Sequence, residues 1–131
     1  MKKLLTVLTI AVLLFSVNAH AQIVKPVTPS KTSLSSTDTA NAVLPIDNTV
    51  TAIEMSGTKT SGTVGGKIYY QGLNLKGDTW TSLDSLTISN TAGYQHKRIA
   101  ITTPLPYASY RFYYLSTGGV WAPGAYYLRR N

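Results

Sequence analysis

Few of the side chains that do chemistry in enzymes occur here: the 131 residues include no cysteine, two histidines and five carboxylates, against nine tyrosines and twelve Lys or Arg. Without cysteine there is no thiolate nucleophile, no thiolate metal site and no disulfide. A Ser-His-Asp arrangement would have to use His96, which sits in the strand-like run Gln95-His96-Lys97, and the chain has no Gly-x-Ser-x-Gly elbow. A carboxylate pair for glycoside hydrolysis would draw on Asp38, Asp47, Glu54, Asp78 and Asp84. Most of these stand beside turns, where Asp is expected for local hydrogen bonding. Asn74 and Asp78 would offer oxygens to a calcium ion, but their spacing fits no defined calcium loop. The inventory favours a binding or structural protein over an enzyme, with no cofactor and no metal expected.

Tyrosine is the more informative residue. It recurs in the pairs Tyr69-Tyr70, Tyr113-Tyr114 and Tyr126-Tyr127. On a strand, neighbours point to opposite faces, so each pair sends one ring inward and one outward. Ile68 shares a face with Tyr70, Phe112 with Tyr110 and Tyr114, and Leu128 with Tyr126, which assigns those tyrosines to the core. The outward set is then Lys67, Tyr69, Arg111, Tyr113, Tyr127 and Arg129. If the three strands are neighbours, this set forms an aromatic and basic stripe suited to stacking on sugars, to anchoring a protein partner or to homo-oligomer contact. The competing reading is that Tyr is simply a good strand former on a half-wet surface.

The elements that position these residues follow from the punctuation of the chain. Lys2 and Lys3, the apolar run Leu4 to Val17 and the small residues Ala19 and Ala21 fit a signal peptide over 1–21, removed before Gln22. The product is then exported, periplasmic or extracellular, with no integral membrane segment after processing, and the lack of cysteine excludes a lipid anchor at that site. Residues 22–42 are rich in Pro, Ser and Thr and predict a flexible arm, with an edge strand around Ile23-Val24 as the alternative that Pro26 and Pro29 disfavour. From 43 to 131, short β-type runs alternate with Gly, Asn, Asp and Pro. The runs are Val50–Met55, Val64–Gly72, Thr79–Ser82, Ser85–Ser89, Gln95–Thr102, Tyr110–Ser116 and Ala125–Arg130. They predict one all-β domain, an antiparallel β-sandwich of about seven strands, jelly-roll or immunoglobulin-like.

The stretch from Ile68 to Leu86 reads as a strand, the polar turn Leu73-Asn74-Leu75-Lys76-Gly77-Asp78, and a second strand opened by Trp80. Together with Tyr110-Arg111-Phe112-Tyr113-Tyr114 and Gly118-Gly119, it resembles small exported β-sandwich proteins of Bacteroidota and their phages. The strand-turn-Trp segment is also similar to discoidin-type (F5/8 type C) carbohydrate- and lipid-binding domains, although these usually carry a Ser/Asn-Asp-Gly turn there. The resemblance implies the fold. Trp80 is expected as a core anchor between sheets, with a ligand platform as the alternative.

Without Lys2 and Lys3, ten basic residues face five acidic ones, a net charge of +5 against +7 for the whole chain. That favours acidic partners such as anionic polysaccharide or a membrane surface. The basic residues are scattered apart from Lys97-Arg98 and Arg129-Arg130, which together with export argues against nucleic acid. Two function classes remain: a module that recognises glycan, cell envelope or a protein partner, and a self-assembling structural subunit.

Overall fold

Two unusually long strands carry the architecture. In a computed structural model, which describes residues 22–75, 77–102 and 105–130, the strands are β1 (Gln22–Val27), β2 (Thr39–Leu44), β3 (Val50–Leu73), β4 (Thr81–Ile88), β5 (Tyr94–Ala100) and β6 (Ser109–Arg130). All six belong to one antiparallel sheet, with no helix among the described residues. The expected signal peptide, Lys76 of the polar turn and Pro104 of the Pro104–Pro106 turn lie outside those residues.

β3 and β6 pair from Val50 opposite Arg129 to Leu73 opposite Ser109. Laid straight, a strand as long as β3 would reach about 80 Å, whereas a globular chain of this size has a radius of gyration of only about 13 Å. The ribbon must double back. It does so where the ladder slips between Lys59 and Gly66, opposite Gly118 and Gly119. Gly119 has φ of 62°, and a Cβ there would lie 2.8 Å from the backbone of Thr63 and Val64. Only glycine satisfies both the left-handed backbone and the close crossing.

The bend divides the ribbon into two halves. In one, β2 flanks residues 110–115 of β6 and β4 flanks residues 66–72 of β3; in the other, β1 flanks residues 125–130 of β6 and β5 flanks residues 52–58 of β3. We call these the β2/β4 half and the β1/β5 half. They face each other across the core. Trp121 from the β1/β5 half is fully buried and meets Tyr114 of the β2/β4 half, ring centroids 6.2 Å apart. It also fits over Gly57 and Gly66, where a Cβ would lie 2.9 Å and 3.0 Å from its ring. The polar handles of both aromatics are satisfied: the Tyr114 hydroxyl donates to the Gly124 carbonyl at 3.0 Å, and the Trp121 indole N–H to Ser116 Oγ at 3.1 Å. Leu34, Ile53, Met55, Ile68, Ile88 and Phe112 complete the buried centre. At the rim, Lys97 of β5 clasps Asp84 of β4 at 2.6 Å.

Several features differ from the sequence reading. Six strands in one sheet replace the expected seven, because the bend keeps Val50–Met55 continuous with Val64–Gly72, and Tyr110–Ser116 continuous with Ala125–Arg130. The expected gap between Ser82 and Ser85 is a bulge in β4: Tyr70 pairs with Asp84 and Gln71 with Ser82, leaving Leu83 as the extra residue. The segment expected as a flexible arm is held along β6. β1 is an edge strand, the place in a sheet where prolines such as Pro26 are tolerated. Leu34 is wholly buried and exchanges two backbone hydrogen bonds with Trp121. The turn after it is fixed by Asp38, which accepts from Lys31 Nζ at 2.6 Å and from the Ser35 N–H at 3.0 Å. Trp80, expected in the core, is only partly buried at the surface, and Trp121 fills the core instead.

Candidate functional site

On the outer face of the β2/β4 half, register pairing lays the side chains out in three cross-strand rows. These are Thr39, Leu115, Lys67 and Thr87; Asn41, Tyr113, Tyr69 and Ser85; and Val43, Arg111, Gln71 and Ser82. The alternate residues Ala40, Ala42, Ile68, Tyr70, Phe112 and Tyr114 are buried in the core, while the residues of the three rows are half-buried or exposed, except Gln71, which is buried beneath its neighbours.

Tyr69 and Tyr113 sit side by side with centroids 6.3 Å apart. Lys67 Nζ lies 5.2 Å from the Tyr69 ring centre. The Arg111 guanidinium lies 4.1 Å from the centre of the Trp80 ring and 5.3 Å from that of Tyr113. Its Nε donates to Gln71 Oε1 at 2.8 Å, and the Gln71 amide donates in turn to Ser82 Oγ at 3.3 Å. Partial burial among these groups lowers the Arg111 pKa from its usual value, with the nearby Tyr113 acting in the opposite direction. Beside Tyr113, the Asn41 side-chain oxygen is shielded from solvent and has no donor among the described residues.

Lys67, Tyr69, Arg111 and Tyr113 are thus brought together, but Tyr127 and Arg129 are not. Both lie in the β1/β5 half, where the bend has changed which side chains face in. Trp121, Pro123 and Ala125 are buried there, and Tyr127, in phase with them, packs against the core cluster. Leu128, the cue for the opposite facing, is buried outside that cluster, in register with Val24 and Ala52. Arg129 pairs with Ile23 and Val50 and stands near Asp47. That carboxyl is held below its usual range first by the Thr49 hydroxyl and only secondarily by Arg129.

No family model, curated protein or solved structure matches this chain. What the face does chemically has to come from its own side chains. The five carboxylates all lie elsewhere. Asp38 pairs with Lys31, Glu54 with Arg98 and Asp84 with Lys97, while Asp47 accepts from the Thr49 N–H and Asp78 from the Leu75 N–H. Among the described residues, Lys67 and Arg111 have aromatic rings and Gln71 for company, and no acid.

The outer face of the other half is differently furnished. Glu54 accepts from the Tyr94 hydroxyl at 2.6 Å and from Arg98 at 3.2 Å, and His96 stacks on Tyr94 with centroids 5.0 Å apart. Among the described residues no three His, Cys, Asp or Glu side chains gather to hold a metal ion. A separate apolar pocket of about 180 Å³, lined by Tyr70, Leu83, Ile101, Leu105, Tyr107 and Tyr110 among others, opens beside the bulge in β4. Its wall is formed by Tyr107, whose ring lies so close to Gly72 that a Cβ there would approach it to 2.5 Å.

Gln71 belongs to the face and was not among the residues singled out from sequence, and Trp80, expected first as a core anchor and only alternatively as a platform, lies there too. An aromatic just after a turn looks the same in sequence whether it enters the core or lies on the surface. What decides is the Arg111 side chain two strands away, which sequence spacing does not place.

Proposed function

We propose that this protein is an exported, non-catalytic binding module that recognises glycan at the cell envelope through the outer face of its β2/β4 half. The observation that carries this reading is the convergence of Trp80, Tyr113 and Tyr69 with Arg111 and Lys67 on one sheet face, where among the described residues neither cation is paired with a carboxylate. A sugar ring pairs an apolar face of C–H groups with a rim of hydroxyls. Half-exposed Tyr and Trp rings beside polar side chains match both. The scaffold that goes with this reading is a β-sandwich whose two layers share the long strands β3 and β6.

The test is a Trp80→Ala/Tyr113→Ala double variant, compared with the native protein on glycan arrays and envelope preparations. Native binding should be lost in the variant, with the thermal midpoint lowered by only a few degrees. If the native protein binds nothing on either panel, the reading is rejected.

A second reading, self-assembly into a structural subunit, is favoured by one observation. Val43 on β2, 68 % exposed, places an apolar side chain at the rim of the same face. Light scattering on the protein from Gln22 separates the two, because assembly through this face would give a stable oligomer without added ligand.

A further inference from the structure

We propose that the Arg111 end of this face is a carboxylate site, and that the glycan it takes is a polysaccharide bearing uronic acids. The inference rests on the glycan reading of the face and adds the chemical class of the sugar. Arg111 is oriented from three sides: Trp80 and Tyr113 lie against the guanidinium, and Gln71, itself tied to Ser82, takes the Nε–H. Among the described residues this leaves the edge formed by the two terminal nitrogens with no protein acceptor. That edge is the planar donor fork that matches the two coplanar oxygens of a carboxylate.

Three of the protein's own carboxylates are held by Lys31, Arg98 and Lys97, and the other two are used in turns, so none competes for the fork. Arg111 is partly withdrawn from water, so an ion pair formed there is screened less than one between fully exposed groups. Beside the fork, the half-buried rings of Tyr113 and Tyr69 lie side by side, where the pyranose that carries the carboxylate and its neighbour would pack. Lys67 stands beyond them, four residues of strand from the Arg111 row, or about 14 Å. The sequence of groups along the face is cation, ring, ring, cation. This fits an extended acidic chain better than one isolated sugar.

The experiment titrates the native protein with polygalacturonate, with the same polymer after its carboxyls have been reduced to alcohols, and with dextran sulfate. Arg111→Lys is measured in parallel, with circular dichroism to check its fold. Polygalacturonate should bind at least about tenfold more tightly than the reduced polymer, the worth of one charge-assisted bidentate contact. Arg111→Lys keeps the charge but loses the fork, so its preference for polygalacturonate over the reduced polymer should shrink to the smaller margin that charge alone supplies.

Equal binding of the two polymers by the native protein would overturn the carboxylate site and leave the glycan reading standing. Dextran sulfate binding as tightly as polygalacturonate would show a general anion surface and also overturn the proposal. Binding of none of the three, together with silence on the neutral glycans of the array, would remove the glycan reading and this proposal together. The comparison of native polymers needs no variant, so it decides the matter even if Arg111→Lys fails to fold.

Discussion

The two halves of the folded ribbon are built from the same two strands and offer the solvent similar residues, yet their outer faces differ in chemistry. In the β1/β5 half, Arg98 and Tyr94 converge on Glu54, so cation and hydroxyl are spent on a carboxylate supplied by the protein. In the β2/β4 half, Arg111 and Lys67 lie against Trp80, Tyr113 and Tyr69, and among the described residues no carboxylate pairs with either cation. Aromatic contact orients a cation without neutralising it. Exposed basic and aromatic residues therefore do not make a recognition surface by themselves; what matters is whether the fold has already supplied their partner.

The largest expected effect tests how the two tryptophans divide between the core and this face. Trp121→Ala should cost about 3–5 kcal/mol, since Trp121 bridges the halves in full burial. Trp80→Ala should stay within about 1 kcal/mol, as expected of a side chain outside the core. Urea denaturation of both variants measures the difference, and comparable losses would mean that Trp80 supports the fold as well as the face.

The second test compares the outward tyrosine with its mismatched counterpart across the bend. Tyr127→Ser should destabilise by about 1–3 kcal/mol because the ring packs against the core cluster. Tyr113→Ser should change stability by about half a kcal/mol to one and weaken glycan binding. Were Tyr127→Ser the neutral one of the two, the change of facing at the bend would be wrong.

A smaller effect is expected where the halves share a hydrogen bond. Tyr114→Phe removes only the hydroxyl that reaches Gly124, which should cost about 1 kcal/mol in denaturation and leave binding unchanged.

The smallest concerns the clasp between β4 and β5. The Lys97 ammonium bonded to Asp84 holds that carboxyl below its usual range. A carboxyl whose pKa is depressed by folding adds stability above its unfolded pKa and loses it as pH falls through the folded value. The pair is about one-third exposed, so its contribution should be less than about 1 kcal/mol. Asp84→Asn should match the native protein in strong acid and fall slightly behind near neutral pH, as followed by denaturation across pH. A gap that widens on acidification would contradict this.

What could be read from sequence depended on whether the ladder was continuous. Alternation around Ile68 and Phe112 places Tyr70, Tyr110 and Tyr114 inside because β3 and β6 run in unbroken register there. The same logic misplaces Tyr127, since the residues absorbed at Gly118 and Gly119 change which positions face in, and glycines in sequence do not announce how many residues a bend consumes. The Pro/Ser/Thr-rich opening gave no hint that Leu34 is wholly buried. Its place depends on the backbone of Trp121, nearly ninety residues later.

The position of β6 in the sequence also sets an order of events. A ribosome makes this strand after all the others, yet β1, β2 and β3 each find their main partner in it. Until it arrives, the first five strands have only the β3 edges that β4 and β5 use, and the core tryptophan does not yet exist. The growing chain should remain unstructured throughout its synthesis and then close in one late event, with the slow kinetics of a topology in which Gln22 must meet Arg130.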